Sequence, residues 1–253
     1  MTDGPAMPEE RVGPETIERF GRPTRHFPVA VSAEAMALAW ANQENGPAGA
    51  TVVVDHEIGP RGLHGRLWEV PLTQTLALSV VVRPSLTVEE GNVSWLLAAL
   101  ASVEGAEAVS GLALATWWPD LIVDASAPTE QVAAVRAEVQ LGPGKVRSAV
   151  ITMRFDLQRL GLENDRKDDL LEAVVLAVDR ASERLDEGAS ALAAAYEGRC
   201  ALIGKRIKMR LLPKGETRGT AARIDRSARL ELESPSGMVE KIGVDQVAAF
   251  EQV

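Results

Sequence analysis

The sequence predicts a mixed α/β chain, α+β in layout, with a larger helix-and-strand body followed by a small all-β module. Three observations lead there. Between about residues 26 and 198, segments of helical periodicity alternate with β-branched apolar runs. After Cys200 the pattern changes to short strands separated by turn signals. The charge changes at the same place: residues 199–253 carry 11 Lys+Arg against 7 Asp+Glu, leaving 16 against 29 in the residues before them. A mildly basic module behind a strongly acidic body marks a domain boundary, so the expected division is 1–25, 26–198 and 199–253.

Residues 1–25, with Pro5, Pro8, Pro14 and Pro23 and no sustained periodicity, are expected to form a tail along the surface. Residues 32–45 read as a helix with Met36, Leu38 and Trp40 on its apolar face and Ser32 as N-cap. Residues 50–55 are a β-branched strand, followed by a Gly/Pro loop. The near-continuous apolar run at 75–83 predicts a strand buried on both faces. A helix follows at 92–104 and a short strand at 113–116. Residues 121–123 and 131–141 read as a hairpin pair, and 146–155 as a further strand. The longest helical pattern runs from 166 to 198, with Leu170, Leu171, Val174, Val175, Val178, Ala181 and Leu185 at helical spacing and a break near Gly188. Beyond it, strands at 207–212, 217–225, 229–233 and 239–244 predict a small SH3-like barrel.

Composition bounds the function. A net charge of −9 argues against a chain that coats nucleic acid. One cysteine excludes a disulfide framework and makes a reducing, cytoplasmic setting the expectation. No apolar run reaches membrane-spanning length and the N-terminus is not a secretory signal, so no membrane partner is expected. His26 and His56 lack metal-ligand spacing, and no metal site is expected. The acidic stretch 163–169 reads as a helix start. Lys205, Arg206, Lys208 and Arg210 read as the charged face of the small module.

The loop Pro60-Arg61-Gly62-Leu63-His64-Gly65-Arg66-Leu67-Trp68, following Asp55, Glu57 and Gly59, resembles the phosphate loop of biotin protein ligases, Gly-Arg-Gly-Arg-Arg-Gly-Arg-x-Trp. The stretch Tyr196-Glu197-Gly198-Arg199-Cys200 through Gly204-Lys205-Arg206-Ile207 is similar to the junction where those enzymes pass into an SH3-like C-terminal domain. Gly219-Thr220-Ala221-Ala222-Arg223-Ile224-Asp225 and Val244-Asp245-Gln246-Val247 also fit that domain. On these matches, covering most of the chain from about residue 30, it is identified as a member of the biotin/lipoate A/B protein ligase superfamily. The resemblance implies a catalytic-type domain with a central mixed sheet.

It also implies a site, carried over residue by residue. Ser32 keeps the serine of a Ser-Thr-Asn segment that holds biotin's ureido group, while Glu34 ends it. Glu57 stands where a biotin-contacting glutamine is usual. Gly59, Arg61, Gly62, His64, Gly65, Arg66 and Trp68 form the ligand loop. Trp118 and Asp120 resemble part of a Lys-Trp-Pro-Asn-Asp segment. Two positions depart from the pattern: Leu63 replaces a catalytic arginine, and Gln131 replaces the lysine of Lys-x-x-Gly-(Ile/Leu)-Leu. Neither replacement supplies positive charge, and losing one such stabiliser of transition-state charge typically costs about 3–4 kcal/mol. Arg61, His64, Arg66, Arg136 or Lys145 would have to take over. The resemblance therefore implies a ligase-like protein whose ATP-dependent adenylation is lost or rebuilt, keeping a cleft for a biotinyl, lipoyl or other acyl group. ATP and biotin or lipoate are its ligands if ligase activity survives. A divergent active ligase or acyltransferase, and a non-catalytic adaptor that binds a carrier domain, stay open beside it. A biotinyl or lipoyl carrier domain is the implied partner and a homodimer is possible. No DNA partner is expected, because the chain has no room for the winged-helix domain of ligases that double as repressors. Cys200 matches a buried junction cysteine rather than a nucleophile.

Overall fold

The computed structural model describes residues 15–65, 68 and 74–252. The body is built on one eight-stranded sheet. Its strands, in chain order, are β1 (Thr16–Arg19), β2 (Arg22–Ala30), β3 (Thr51–Glu57), β4 (Thr75–Val82), β5 (Leu114–Trp117), β6 (Leu121–Asp124), β7 (Gln131–Gly142) and β8 (Lys145–Asp156). Their spatial order is β1-β2-β3-β4-β8-β7-β6-β5. Every neighbouring pair is antiparallel except β2 and β3, so the sheet is mixed.

That parallel pair needs a crossover, and helix α1 (Ala33–Gln43) supplies it. Ser32 caps α1, its hydroxyl accepting from Ala35 N at 3.4 Å. Ala33, Ala37, Trp40 and Ala41 of α1 pack on one face of the sheet against Val52, Val54, Ala77, Val81 and Val150. The other face carries Leu76, Leu78, Val80, Ile151, Met153 and Phe155 and is covered by α2 (Val93–Ser110), α3 (Lys167–Asp186) and α4 (Ala189–Glu197). β4 is therefore buried at all eight positions, as its unbroken apolar run requires.

Helix α2 is apolar enough, by length and composition, to pass for a membrane span, yet 72% of that window is buried inside the fold. It lies between the sheet and α3, which explains apolar residues all round its circumference. α3 is instead amphipathic and buries the seven residues whose spacing marks it as a helix, together with Ala177. Gly188, at φ +127, separates α3 from α4.

Residues 16–25 correct the expected tail. They form β1 and the start of β2, an antiparallel edge hairpin turned by Phe20 (φ +52) and Gly21 (φ +70). What holds it is polar: the Arg22 guanidinium is almost buried and donates to Asp179 and to Val175 O, and Thr24 is buried beside it. An apolar-periodicity search does not register such a strand.

The C-terminal module comprises β9 (Arg206–Leu211), β10 (Glu216–Ile224), β11 (Leu230–Glu233), β12 (Val239–Ile242) and β13 (Val247–Gln252). They form an antiparallel sheet in the order β12-β11-β10-β9-β13. β12 and β13 are its two edges and do not pair, so the expected barrel is seen as an open five-stranded sheet. The module shares a hydrophobic core with the body. Trp118, fully buried, donates from Nε1 to Ala228 O at 3.0 Å and meets the Phe250 ring edge-on, centroids 6.3 Å apart. Glu197 at the end of α4 accepts from Ile224 N at 2.8 Å.

This packing can be tested at two points. A Cβ on Gly105 would lie 2.6 Å from Val174 Cα in the facing helix, so Gly105→Ala should lower stability by about 1–3 kcal/mol despite alanine's roughly 1 kcal/mol helical advantage. Denaturant midpoints decide it, and an unchanged midpoint would refute the close approach. The second point concerns acid. Arg223, then Lys241, hydrogen-bond the Glu231 carboxylate and hold its pKa below the ordinary carboxylate range. A depressed folded pKa gives stability that is present above the unfolded pKa and lost as pH falls through the folded one. The melting temperature should accordingly fall in acid, and Glu231→Gln should flatten that fall while lowering the neutral-pH value.

Candidate functional site

On the face of the sheet partly covered by α1, the end of β3 runs into the loop of residues 58–65. A cleft lies between this loop, the N-terminus of α1 and strands β7 and β8. Its floor is set by register: Ala134 pairs with Arg154 and Arg136 with Thr152, so these four side chains project to one face.

Arg154 dominates the floor. It is 1% exposed, and its Nε donates to Glu57 Oε2 at 2.5 Å while a terminal nitrogen reaches Glu57 Oε1 at 3.1 Å. Its remaining terminal nitrogen donates to Arg61 O at 3.2 Å. Glu57 Oε1 also accepts from Ala33 N, in the first turn of α1, at 2.8 Å. The pair is a bidentate fork whose partners come from β3, β8, α1 and the loop. Next to it Arg136 pairs with Glu34 at 3.0 Å and Glu138 at 3.4 Å, and donates to Gly62 O at 3.3 Å. Desolvation pushes the Glu34 carboxyl above its usual value, against the pull of Arg136 and Arg154.

Beyond the ion pairs a cavity of about 180 Å³ remains, lined by Gly62, Leu63, Trp68, Asp120, Leu121, Gln131 and Ala134. Leu63 is 5% exposed. Asp120 is buried, and its backbone carbonyl accepts from Val135 N at 2.8 Å. Gln131 opens β7 beside a register shift between Ile122 and Val123. Its carbonyl accepts from Arg159 at 2.7 Å, and its Nε2 is buried without an acceptor among the described residues.

Comparison with known proteins gives a consistent picture. No protein-family model matches the chain. It is 27% identical over 179 residues to the bifunctional ligase/repressor BirA of Bacillus subtilis, covering 70% of this chain and 53% of that protein. The BirA of Bacillus spizizenii is 28% identical over 180 residues, with the same coverage. The chain thus spans about half the length of the curated relatives it matches. A structure of the biotin protein ligase of Aquifex aeolicus in complex with biotin and ATP superposes with a TM-score of 0.71 at 16% identity, covering 91% of this chain and 99% of that one. A biotin protein ligase-like protein of unknown function from Silicibacter sp. TM1040 superposes with a TM-score of 0.68 at 13% identity, covering 88% and 95%. The chain belongs to the biotin/lipoate protein ligase-like superfamily.

Set in that superfamily, the residues expected at the site divide into groups. Gly62, Trp68, Asp120 and Gln131 line one cavity, as does Leu63. Glu57 lies behind it, committed to Arg154. Trp118 is a correction: it is a wedge between the body and the C-terminal sheet, absent from the cavity lining. Ser32 is half-buried, its hydroxyl engaged as the α1 cap. Arg61 is exposed and folds back on its loop, donating to Gly65 O at 2.9 Å, instead of entering the cleft. His64, at φ +54, reaches Val247 O of β13 at 2.7 Å. The Gly59 and Gly65 backbones are unobstructed. Arg66 lies outside the described residues. Among the described residues no group of His, Cys, Asp and Glu is placed to hold a metal. Cys200 is buried, and burial pushes its thiol pKa up, as befits a structural residue.

Arg154 is the residue that sequence reading missed. The signal was an arginine inside the apolar run 146–155, in a strand whose other positions call for burial. A guanidinium there must find a carboxylate, but nothing local names Glu57, 97 residues earlier.

Breaking this pair from one side should be costly. Arg154→Met leaves Glu57 buried without its cation and should destabilise the protein by about 3–5 kcal/mol, whereas Glu57→Leu/Arg154→Met should recover most of that loss. Urea denaturation of the single and double variants measures the coupling, and strictly additive losses would contradict a mutually dependent pair.

Proposed function

We propose that this chain is a ligase-like protein that has lost ATP-dependent adenylation and keeps a cleft for a small acyl group presented by a carrier domain. The observation that carries this reading is the Arg154–Glu57 pair. Two carboxylates, Glu34 and Glu57, occupy positions that the resemblance assigns to biotin contacts, and each is taken up by a buried or half-buried arginine. A ligand entering there would have to strip a carboxylate from its guanidinium in a site with little water, a loss of several kcal/mol before any contact is gained. The loop side supports the same reading. Leu63 is part of the apolar lining, Arg61 holds its own loop, and Gln131 brings no charge. Arg136, the nearest candidate to replace a missing cation, is engaged by Glu34, Glu138 and Gly62 O. The open C-terminal sheet is read as the SH3-like module of the superfamily with one seam unclosed.

Pyrophosphate release with ATP and biotin, lipoate or octanoate tests the loss of adenylation: the expected rate is that of the buffer alone, and saturable release above it overturns the reading. Calorimetry with a biotinyl or lipoyl carrier domain tests the rest. Binding that is stronger to an acylated than to an apo carrier is expected, whereas equal binding to both marks a pure adaptor that uses no acyl cleft.

A further inference from the structure

We propose that a second cavity, at the other end of the body from the cleft, takes a short apolar peptide with free termini, its carboxylate held by Arg22 and its ammonium by Asp186. The inference is independent of the reading above, since the linings of the two cavities share no residue among those described. This cavity, of about 560 Å³, lies between the β1–β2 turn, the end of β4, α2 and the second half of α3. Val82, in its wall, stands seven residues and about 23 Å along β4 from Thr75, whereas Arg154 of the cleft pairs with Ala77, near the start of that strand. Arg22 is the anchor. It is 8% exposed and lines the cavity. A guanidinium carries five N–H donors, and here Nη2 is engaged by Asp179 and by Val175 O at 3.4 Å. Among the described residues nothing accepts from Nε or Nη1. Nη1 lies against Gly49, where a Cβ would come within 3.4 Å of it. The guanidinium is thus compensated in charge by Asp179 but left with spare donors, and a nearly buried donor in that state favours a ligand that brings oxygens.

Charge decides what kind of ligand. The described lining holds two arginines, Arg22 and Arg83, and two aspartates, Asp179 and Asp186. Arg22 and Asp179 pair with each other. Arg83 donates to Gly46 O at 2.8 Å, and neither it nor Asp186 has an ion-pair partner among the described residues. One charge of each sign is left over, so a zwitterion is matched, whereas a plain anion would meet the Asp186 carboxylate unanswered. Arg83 and Asp186 stand exposed at the rim, where water screens them, and the buried Arg22 makes the stronger contact. Asp186 is the last residue of α3, so the negative pole of the helix adds to its hold on an ammonium. Spacing sets the length. Asp179 and Asp186 lie two turns apart on one side of α3, a rise of about 10.5 Å. Because Asp179 fixes Arg22, the two ends of the ligand bind about 10 Å apart, the reach of three extended residues. The charges of a single α-amino acid sit on one carbon and cannot span it. Between the two aspartates Ser182 donates to Val178 O at 2.8 Å and keeps its lone pairs for a backbone N–H of the ligand. Phe20, Leu97, Val178 and Leu185 offer apolar walls to the ligand's side chains. The volume falls within the roughly 300–1,000 Å³ of small-ligand pockets.

Calorimetry on the full chain with trileucine tests the inference. The comparison ligands are trileucine amide, N-acetyl-trileucine, leucine and triglycine. Saturable binding of trileucine is expected. The amide, which loses the carboxylate, should bind at least tenfold more weakly, as should leucine, which is too short, and triglycine, which has no apolar side chains. N-acetyl-trileucine, which loses only the contact at the rim, should bind about threefold more weakly. Asp186→Asn should lower the affinity for trileucine by the same threefold and leave that for N-acetyl-trileucine unchanged, because the partner of Asp186 is already missing from the acetylated ligand. Arg22→Lys, which keeps a positive charge beside Asp179 and removes the spare donors, should weaken trileucine at least tenfold. Melting curves confirm that both variants are folded, and the exposed Asp186 decides the matter alone if Arg22→Lys does not fold. No saturable binding by the wild-type chain, an amide that binds as tightly as the free acid, or an equal loss for both ligands in Asp186→Asn overturns the inference.

Discussion

A guanidinium with almost no exposure has to keep its partners, and the placement of Arg154 constrains everything around the cleft. Held on β8, it draws its partners from three other pieces of chain: Glu57 at the end of β3, Arg61 O in the loop, and Ala33 N at the start of α1 through the shared carboxylate. Helix α1 cannot shift along the sheet without exposing the Glu57 carboxylate, and the loop cannot lift without leaving a guanidinium donor unmatched. Such a pair need not add net stability compared with well-packed apolar residues. Its effect is geometric, because it allows one arrangement of these elements.

That constraint separates fold from chemistry. The surrounding sheet follows the architecture of ligases that bind biotin and ATP, as in the Aquifex aeolicus structure, across nearly the whole length of that chain. The identity of the side chains at the floor is a separate question, since at 16% identity the likeness is one of fold alone. A fold can carry a different chemistry in the same place, because strand register fixes where a side chain projects and leaves its identity free.

Much of the scaffold was legible in the sequence for this reason. The β-branched run at 50–55, the apolar run at 75–83, the capped α1 and the long α3 with its break at Gly188 all bury apolar surface at regular spacing, and periodicity records that kind of burial. The edge hairpin of β1 and β2 was hidden because Arg22 and Thr24 bury through polar contacts, those of Arg22 reaching α3. Barrel closure was not legible either, since counting strands says nothing about whether β12 meets β13. At the site, the loop motif and its neighbours in the resemblance brought Gly62, Trp68 and Gln131 to one cavity. They gave no sign that Trp118 faces the C-terminal sheet or that Glu57 is claimed by Arg154, because both depend on partners far away in the chain.

The contact between His64 and Val247 O joins the cleft loop to the edge strand β13. Two parts of the molecule with no sequence proximity thus share one hydrogen bond, and neither can open alone without breaking it. By thermodynamic reciprocity, whatever steadies the loop must steady the seating of β13 by an equal free energy, and whatever loosens β13 must loosen the loop. Among the described residues the C-terminal sheet supplies no group to the lining of the cavity, and it acts on the cleft as a clamp whose tightness is felt through the His64 imidazole.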